Sequence, residues 1–430
     1  MKFGTDGIRG IAYEELSVDF AYRAGNAIAR LVKNAKAVIG RDTRVSGEDL
    51  AGSLCKGFMD AGGQIMDCML MPTAGIAFLV KKHNCDFGIV ISASHNPPEY
   101  NGIKVFDANG YKISEECEHE IEDNIQKDVV IKDGGSIIPY KEGEKEYIDF
   151  LTEKGINLQG MKILLDCSNG ATSKVAPEIF KRLGANVSVV NDSLDGNIIN
   201  KDCGAVFAEN LCQRAKEFDL TFSFDGDGDR LIALDENGDI VDGDRNLLVI
   251  GKYLKTNGML KNNLITGTLM TNIGIERELK NCGISFDRAD VGDKYVLRNL
   301  LAKGGVLGGE GSGHTLILSE STTGDGVQTA VVISKIVKES KKPLSMLAKA
   351  QLMPQITQSV KVNNKEKVAK DKTLLSAIND IKEYMKDEGR ILVRPSGTEN
   401  KLRITIEYKD ENKIKKFVND LTILIKSLEI

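Results

Sequence analysis

Three aspartates alternate with other residues in the run DGDGDR: Asp225, Asp227 and Asp229. On an extended chain residues i, i+2 and i+4 face one side, so this spacing predicts three carboxylates crowded together. Like charges at such range resist joint ionisation. A hard divalent cation that prefers oxygen ligands, Mg²⁺ above all, would remove the conflict. A solvated acidic turn would show the same letters, but so dense a same-face cluster favours a metal.

Two other chemistries share part of the pattern. An EF-hand loop also begins D-x-D-x-D and would find Glu236 at its twelfth position. Arg230, however, stands where that loop needs glycine, and a strand rather than a helix precedes it. A dehalogenase-type phosphatase places D-x-D after a strand with its first Asp as nucleophile, but would usually carry Thr or Val where Gly228 stands.

Ser94 lies in ISASHNPPEYNGIKVF, where a short apolar run gives way to small residues. Asn96-Pro97-Pro98 can continue neither strand nor helix, so the hydroxyl is displayed on a stiff loop, as a nucleophile or phosphoryl carrier requires. An ordinary Ser/Asn turn is the alternative, and no G-x-S-x-G hydrolase signature surrounds it. In GGEGSGH (308–314), Glu310, Ser312 and His314 alternate and would share a face if extended, offering an acceptor, a hydroxyl and an imidazole to a sugar. RPSGTENKLR (394–403) brings the guanidinium groups of Arg394 and Arg403, the hydroxyls of Ser396 and Thr398 and the bare backbone of Gly397. Forked Arg donors beside turn N–H groups make a phosphate cradle. The absent G-K-[ST] ending excludes a nucleotide P-loop.

The elements that must position these loops alternate between helix and strand. Ser17 opens a helix whose apolar face holds Phe20, Ala21, Ala24, Ile28 and Leu31, followed by a strand over 37–40. Ser46 with Asp49 predicts a capping box for a second helix, and a strand over 87–91 leads into the Ser94 loop. The pattern restarts with a strand at 162–167, a helix near 173–183, strands at 187–190 and 220–224, and a hairpin turning at Asn237-Gly238. It restarts again with a strand at 264–269 and a helix at 272–282. Such alternation predicts parallel sheets that bind ligands at the carboxyl ends of their strands. The last 75 or so residues predict strands near 359–363, 390–394 and 402–408 and a helix from about 412. The fold class expected is α/β, three related α/β domains plus a C-terminal α+β domain, with limits 1–150, 151–243, 244–355 and 356–430. Each section contributes one loop to a shared cleft.

The chain has 430 residues, 41% hydrophobic and 28% charged, which suits a soluble globular protein with sizeable cores. A net charge of −5 argues against nucleic acid or an anionic membrane as partner. The eight cysteines form no C-x-x-C pair and predict buried free thiols. The N-terminal MKFGTDGIRG lacks an apolar leader core, and no run reaches the ~18 apolar residues of a membrane span. A reducing, cytoplasmic setting is expected.

Taken in order, FGTDGIRG, GRDTRVSG, SASHNP, DGDGDR, GGEGSGH, TTGDG and RPSGTE span essentially the whole chain, and the set resembles the α-D-phosphohexomutase superfamily. GTLMTN (267–272) and VGDKYV (291–296) look most like its branch acting on glucosamine phosphate; the branches acting on mannose and glucose phosphates are the alternative. The resemblance implies a heart-shaped molecule with a central cleft and conversion between glucosamine 6-phosphate and glucosamine 1-phosphate through a bisphosphorylated sugar. It implies phosphate on Ser94, one Mg²⁺ held by Ser94, Asp225, Asp227 and Asp229, and a sugar bisphosphate as activator. Arg9, Lys104 and Arg230 would serve as auxiliary cations, and His95, Lys104 or His314 as general base. Lys294, Glu310, Ser312 and His314 would face the sugar, and Arg394, Ser396, Gly397, Thr398 and Arg403 the phosphate that is not transferred. The partner would be a small phosphosugar, with a homodimer allowed. A phosphosugar-binding regulatory protein without turnover is the reading from another class; the presence of Ser94 and all three aspartates argues against it.

Overall fold

The computed structural model describes residues 1–153, 156–396 and 400–428. The chain divides into two compact units, one of Met1–Met270 with Gly283–Lys349 and one of Thr271–Cys282 with Ala350–Ile430.

The first unit contains three sheets. In the first, strands run in the order Ile8–Ile11, Tyr100–Phe106, Phe87–Ile91, Lys36–Arg41, Gln64–Leu70, Ser136–Pro139. The last four are mutually parallel. Phe87–Ile91 is buried along its whole length, as a strand covered on both faces must be. Tyr100–Phe106 and Ile8–Ile11 are antiparallel to their neighbours, so the sheet is mixed where the sequence predicted a parallel one. The reason is length: only residues 92–99 separate Ile91 from Tyr100, too few for a parallel crossover of a dozen or more residues. The Ser94 loop is therefore a tight return.

The second sheet has the order Ile240–Val241, Leu231–Leu234, Leu220–Phe224, Lys162–Asp166, Asn186–Val190, with the last three parallel. The third has Ser285–Ala289, Leu264–Thr268, Leu307–Gly309, Thr315–Ile317, with the first three parallel. Both repeat the device of the first sheet. A parallel strand ends, a loop turns, and an antiparallel strand returns: DGDGDR joins Leu220–Phe224 to Leu231–Leu234, and residues 310–314 join Leu307–Gly309 to Thr315–Ile317. The hairpin at Asn237-Gly238 forms, with Leu234 opposite Ile240.

Helix Val18–Ala29 is capped as the sequence predicts, Ser17 Oγ accepting the Phe20 N–H at 3.1 Å. Helix Gly47–Asp60 is not. Ser46 makes no cap; its Oγ accepts from Asn101 Nδ2 at 2.9 Å, and the Asp49 carboxylate takes the Tyr13 hydroxyl at 2.9 Å. Tertiary partners outbid the local capping box for both side chains.

In the second unit an antiparallel sheet, ordered Gln355–Lys361, Lys401–Glu407, Arg390–Pro395, packs against helices Lys372–Met385 and Glu411–Ser427 around Leu374, Ile404, Ile414 and Ile425. Helix Ile273–Asn281 groups with this unit although the strands on either side of it belong to the third sheet. None of the eight cysteines, all among the described residues, forms a disulfide, and five of them are buried. Among the described residues no helix is long and apolar enough to cross a membrane.

Candidate functional site

The backbone at Ser94 is unusual before its side chain is considered: φ is +52°, a conformation non-glycine residues rarely adopt. Its N–H donates to Ser92 Oγ at 2.9 Å. Its carbonyl accepts from Arg44 Nη2 at 3.0 Å and from Asn200 Nδ2 at 2.8 Å. Arg44 is wholly buried, ion-paired to Asp42 at 2.9 Å, and also donates to the carbonyls of Asn96 and Tyr100. The loop is thus fastened through its backbone by side chains from segments that follow strands of the first and second sheets, and strain at a functional residue is held by over-determined surroundings. Gly226 completes the fit, since a Cβ there would lie 2.6 Å from the Ser94 carbonyl oxygen.

The Ser94 hydroxyl donates to Asp225 Oδ2 at 2.6 Å and lies 3.3 Å from His95 Nδ1. Oxygen atoms of Asp225, Asp227 and Asp229 all come within 4.8 Å of one another. They converge through a turn, with Gly228 at φ +73°, and not through the extended alternation that the spacing suggested. Lys104, 1% exposed, donates to Asp227 Oδ2 and Asp229 Oδ2, each at 2.8 Å, and lies 3.0 Å from Asp6 Oδ2. Thr73 Oγ1 donates to Asp227 Oδ2 at 2.5 Å. Asp227 Oδ1 and Asp229 Oδ1 remain buried without a hydrogen-bond partner. Three converging carboxylates in a buried turn, two of them with an oxygen that no hydrogen bond claims, are a donor set that fits a hard divalent cation.

The protonation states follow from these neighbours. Burial, then Asp229 and Asp227, push the Asp225 carboxyl up to about 8 when no cation is bound. Burial would raise Asp229 too, but Lys104 and His314 hold it well below the usual carboxylate range. Burial would strip the proton from Lys104; Asp227, Asp229 and Asp6 outweigh it and keep the ammonium well above its ordinary value. His314, buried between Asp229 (3.6 Å) and Asp293 (3.5 Å), is raised for the same reason. His95 goes the other way. Burial and the nearby Arg230 and Arg9 lower it to about 3, leaving a neutral imidazole beside the serine.

Of the residues singled out in the sequence, the first unit brings together Ser94, His95, Arg9, Lys104, the three aspartates, Arg230 and His314. Arg9 Nη1 donates to Asn96 Oδ1 at 3.1 Å, and Arg230 Nε lies 3.9 Å from both Asp225 and Asp229. Residues 310–313 form a turn, with Gly313 at φ +97°, so Glu310, Ser312 and His314 do not share one face. Glu310 Oε1 accepts the Gly292 N–H at 3.0 Å, Ser312 is exposed and His314 is buried. Lys294 donates to Glu115 Oε1 at 3.0 Å. In the second unit Arg394 and Arg403 stand directly opposite each other across two strands, and Lys365 Nζ donates to the Ser396 carbonyl at 2.6 Å. Gly397 and Thr398 lie outside the described residues.

Sequence reasoning quoted FGTDGIRG, GRDTR and VGDKYV as motifs without assigning tasks to Asp6, Asp42, Arg44 or Asp293, and it passed over Thr73, Lys112 and Asn200. The charges packed into those segments were the available signal.

Solved phosphohexomutases share this fold. A phosphoglucomutase/phosphomannomutase family protein from Burkholderia thailandensis superposes with a TM-score of 0.84 at 23% identity, covering 98% of this chain and 97% of that one. The Aspergillus fumigatus N-acetylphosphoglucosamine mutase, solved with GlcNAc-6P and magnesium, gives 0.71 at 16% identity over 100% and 96%. Sequence narrows the likeness. The phosphoglucomutase/phosphomannomutase α/β/α domains I, II and III match residues 1–130, 145–238 and 242–354, and the C-terminal domain matches 359–423. A phosphoglucosamine mutase of Clostridium acetobutylicum is 43% identical over 99% of this chain and 98% of its own length. The chain belongs to the phosphoglucomutase/phosphomannomutase family and, within it, to the phosphoglucosamine mutase branch, an isomerase class.

Proposed function

We propose that the protein interconverts glucosamine 6-phosphate and glucosamine 1-phosphate through phospho-Ser94 and glucosamine 1,6-bisphosphate. The observation that carries this reading is the approach of Ser94 Oγ to Asp225 at 2.6 Å, where a hydroxyl of the first domain meets the acidic triad of the second. Kinship with phosphoglucosamine mutases along nearly the whole chain supports the choice of sugar.

In the first half-reaction the C1 hydroxyl of glucosamine 6-phosphate attacks the phosphorus of phospho-Ser94. A P–O bond forms at C1, the P–Oγ bond breaks, and the hydroxyl proton ends on Ser94 Oγ. The bisphosphate then turns in the site. Ser94 Oγ attacks the phosphorus at C6, its proton passes to the departing C6 oxygen, and glucosamine 1-phosphate leaves with phospho-Ser94 restored. A loose phosphoryl-transfer transition state asks mainly for positioning and charge. Mg²⁺ bound by Asp225, Asp227, Asp229 and an oxygen of phosphorylated Ser94 would supply positive charge to the transferring group. Arg9 and Arg230, each with a buried Nε that makes no hydrogen bond, add to it. A sugar bisphosphate entering from solution would phosphorylate any Ser94 that has lost its phosphate.

Lys104 is locked as an ammonium and His314 is bound up with Asp229 and Asp293, whereas His95 is neutral and lies 3.3 Å from Ser94 Oγ, placed to carry the proton. His95→Gln should lower kcat on the order of 10²-fold with KM little changed; a wild-type kcat would remove His95 from this role. Glu310, Ser312, His314 and Lys294 would face sugar hydroxyls. Arg394 and Arg403, like charges opposed across a strand pair, would hold the non-transferring phosphate with Ser396, Gly397 and Thr398, because a bound dianion reconciles them. The setting proposed is the cytoplasm, where free thiols persist.

Asp227→Asn should raise the Mg²⁺ concentration for half-saturation by at least about tenfold, read by calorimetry; an unchanged titration would contradict the metal assignment. Parallel assays on glucosamine, glucose and mannose 6-phosphates test the sugar: the largest kcat/KM should fall to glucosamine 6-phosphate, and preference for either of the others would overturn that choice.

A further inference from the structure

Six ionisable side chains of the first unit, drawn from all three of its family domains, close into a ring in which acids alternate with bases. Asp229 of the second domain meets Lys104 of the first at 2.8 Å. Lys104 lies 3.0 Å from Asp6, and Asp6 in turn accepts from Lys112 at 2.5 Å. Lys112 also donates to Asp293 of the third domain at 2.5 Å. Asp293 lies 3.5 Å from His314 Nε2, and His314 Nδ1 returns to Asp229 at 3.6 Å. Arg9 joins at Asp6, and Lys104 reaches Asp227 as well. The members are largely buried, Lys112 and Asp293 keeping 15% and 12% of their side-chain exposure.

Local structure places the two least obvious members. After strand Tyr100–Phe106 the chain turns at Gly110, φ +76°, and comes back so that Lys112 bridges to Phe106. Asp293 opens helix Asp293–Lys303, where a carboxylate suits the helix dipole, and the preceding Gly292 N–H is fixed by Glu310. His314 is confined too: any Cβ on Gly324 would collide with its imidazole.

We propose that Lys112 and Asp293 are positioning residues that take no part in bond making and, by closing this ring across three domains, hold His314 and Lys104 in register with the acidic triad. Without Asp293, the imidazole keeps only Asp229 as a charged neighbour on the ring, and Lys112 keeps only Asp6. Without Lys112, Asp293 and Asp6 lose their shared cation, and the first domain loses its less exposed ionic hold on the third, the Lys294–Glu115 pair remaining. Misplacement by about 1 Å is enough to slow a reaction on the order of 10²-fold. The inference rests on the phosphosugar mutase reading for its kinetic arm only.

Asp293→Asn and Lys112→Met should each lower kcat about 10- to 100-fold while KM stays within about threefold. The double variant should be no slower than the worse single, because both act through one path. Asp293→Glu and Lys112→Arg should recover most of the rate. The substrate-free protein gives a second readout. With only four histidines in the chain, the His314 imidazole NMR signals should move in both variants while the signals of His83 and His119 stay. That spectrum stands whatever sugar the enzyme takes, so failure of the substrate assignment and failure of this proposal are distinguishable. Multiplicative losses, a raised KM with unchanged kcat, or unmoved His314 signals would overturn it. Should Lys112→Met not fold, the near-isosteric Asp293→Asn and the Lys112→Arg variant carry the same test.

Discussion

Ser94→Ala is expected to cost on the order of 10⁴-fold or more in turnover while the protein still folds. The rate loss follows from chemistry, since a route through phosphoserine has no carrier once the hydroxyl is gone. Survival of the fold follows from the loop. The Ser94 N–H is held by Ser92 Oγ, and its carbonyl by Arg44 and Asn200. None of these bonds uses the deleted oxygen, and alanine meets the same φ of +52° that serine does. What is lost structurally is the hydrogen bond to Asp225 and the 3.3 Å contact with His95 Nδ1. Circular dichroism and gel filtration like the parent, with activity near background, are the expected pair of results. Activity within about tenfold of the parent would mean that phosphate travels by another route.

The second large effect falls on stability. Lys104 is the ammonium shared by Asp227, Asp229 and Asp6, all buried or nearly so. Lys104→Met keeps the side-chain length and removes the charge, so those carboxylates lose their common cation. Breaking a buried pair in this way costs about 3–5 kcal/mol, enough to lower the apparent unfolding temperature by roughly 4–7 °C in a unit of this size. Saturating Mg²⁺ should restore part of the loss, because a cation that binds only the folded carboxylates stabilises them by mass action. Turnover should fall as well. Melting within about 2 °C of the parent would show that the carboxylates do not depend on Lys104.

How much of this was readable beforehand depends on the range of each interaction. Strands Phe87–Ile91 and Leu220–Phe224 lie at the positions read from the sequence, and the Ser17 cap forms, because these are decided locally. The convergence of the three aspartates was legible, but its cause was not. A turn through Gly228 gathers them, whereas the extended spacing was only a rough proxy. The same proxy failed at 310–314, where the turn sends Ser312 to solvent and His314 inward. The capping box at Ser46 lost to Asn101, 55 residues away. Least legible was the outer ring: Lys112 reaches Asp6 across 106 positions and Asp293 across 181. No pattern within a single segment marks such partners. They become visible only when three domains are folded side by side.

The central claim is that a phosphoryl group resides on Ser94 and passes from it to the sugar. The most direct measurement is a single-turnover chase. Protein labelled with radioactive phosphate is mixed with unlabelled glucosamine 6-phosphate, and both the Ser94 peptide and the sugar pool are followed over one catalytic cycle. Label should leave the Ser94 peptide at the rate of turnover and appear in glucosamine 1,6-bisphosphate, then in the monophosphates. Label that stays on the peptide while sugar is converted, or that is found on some other residue, would contradict the account.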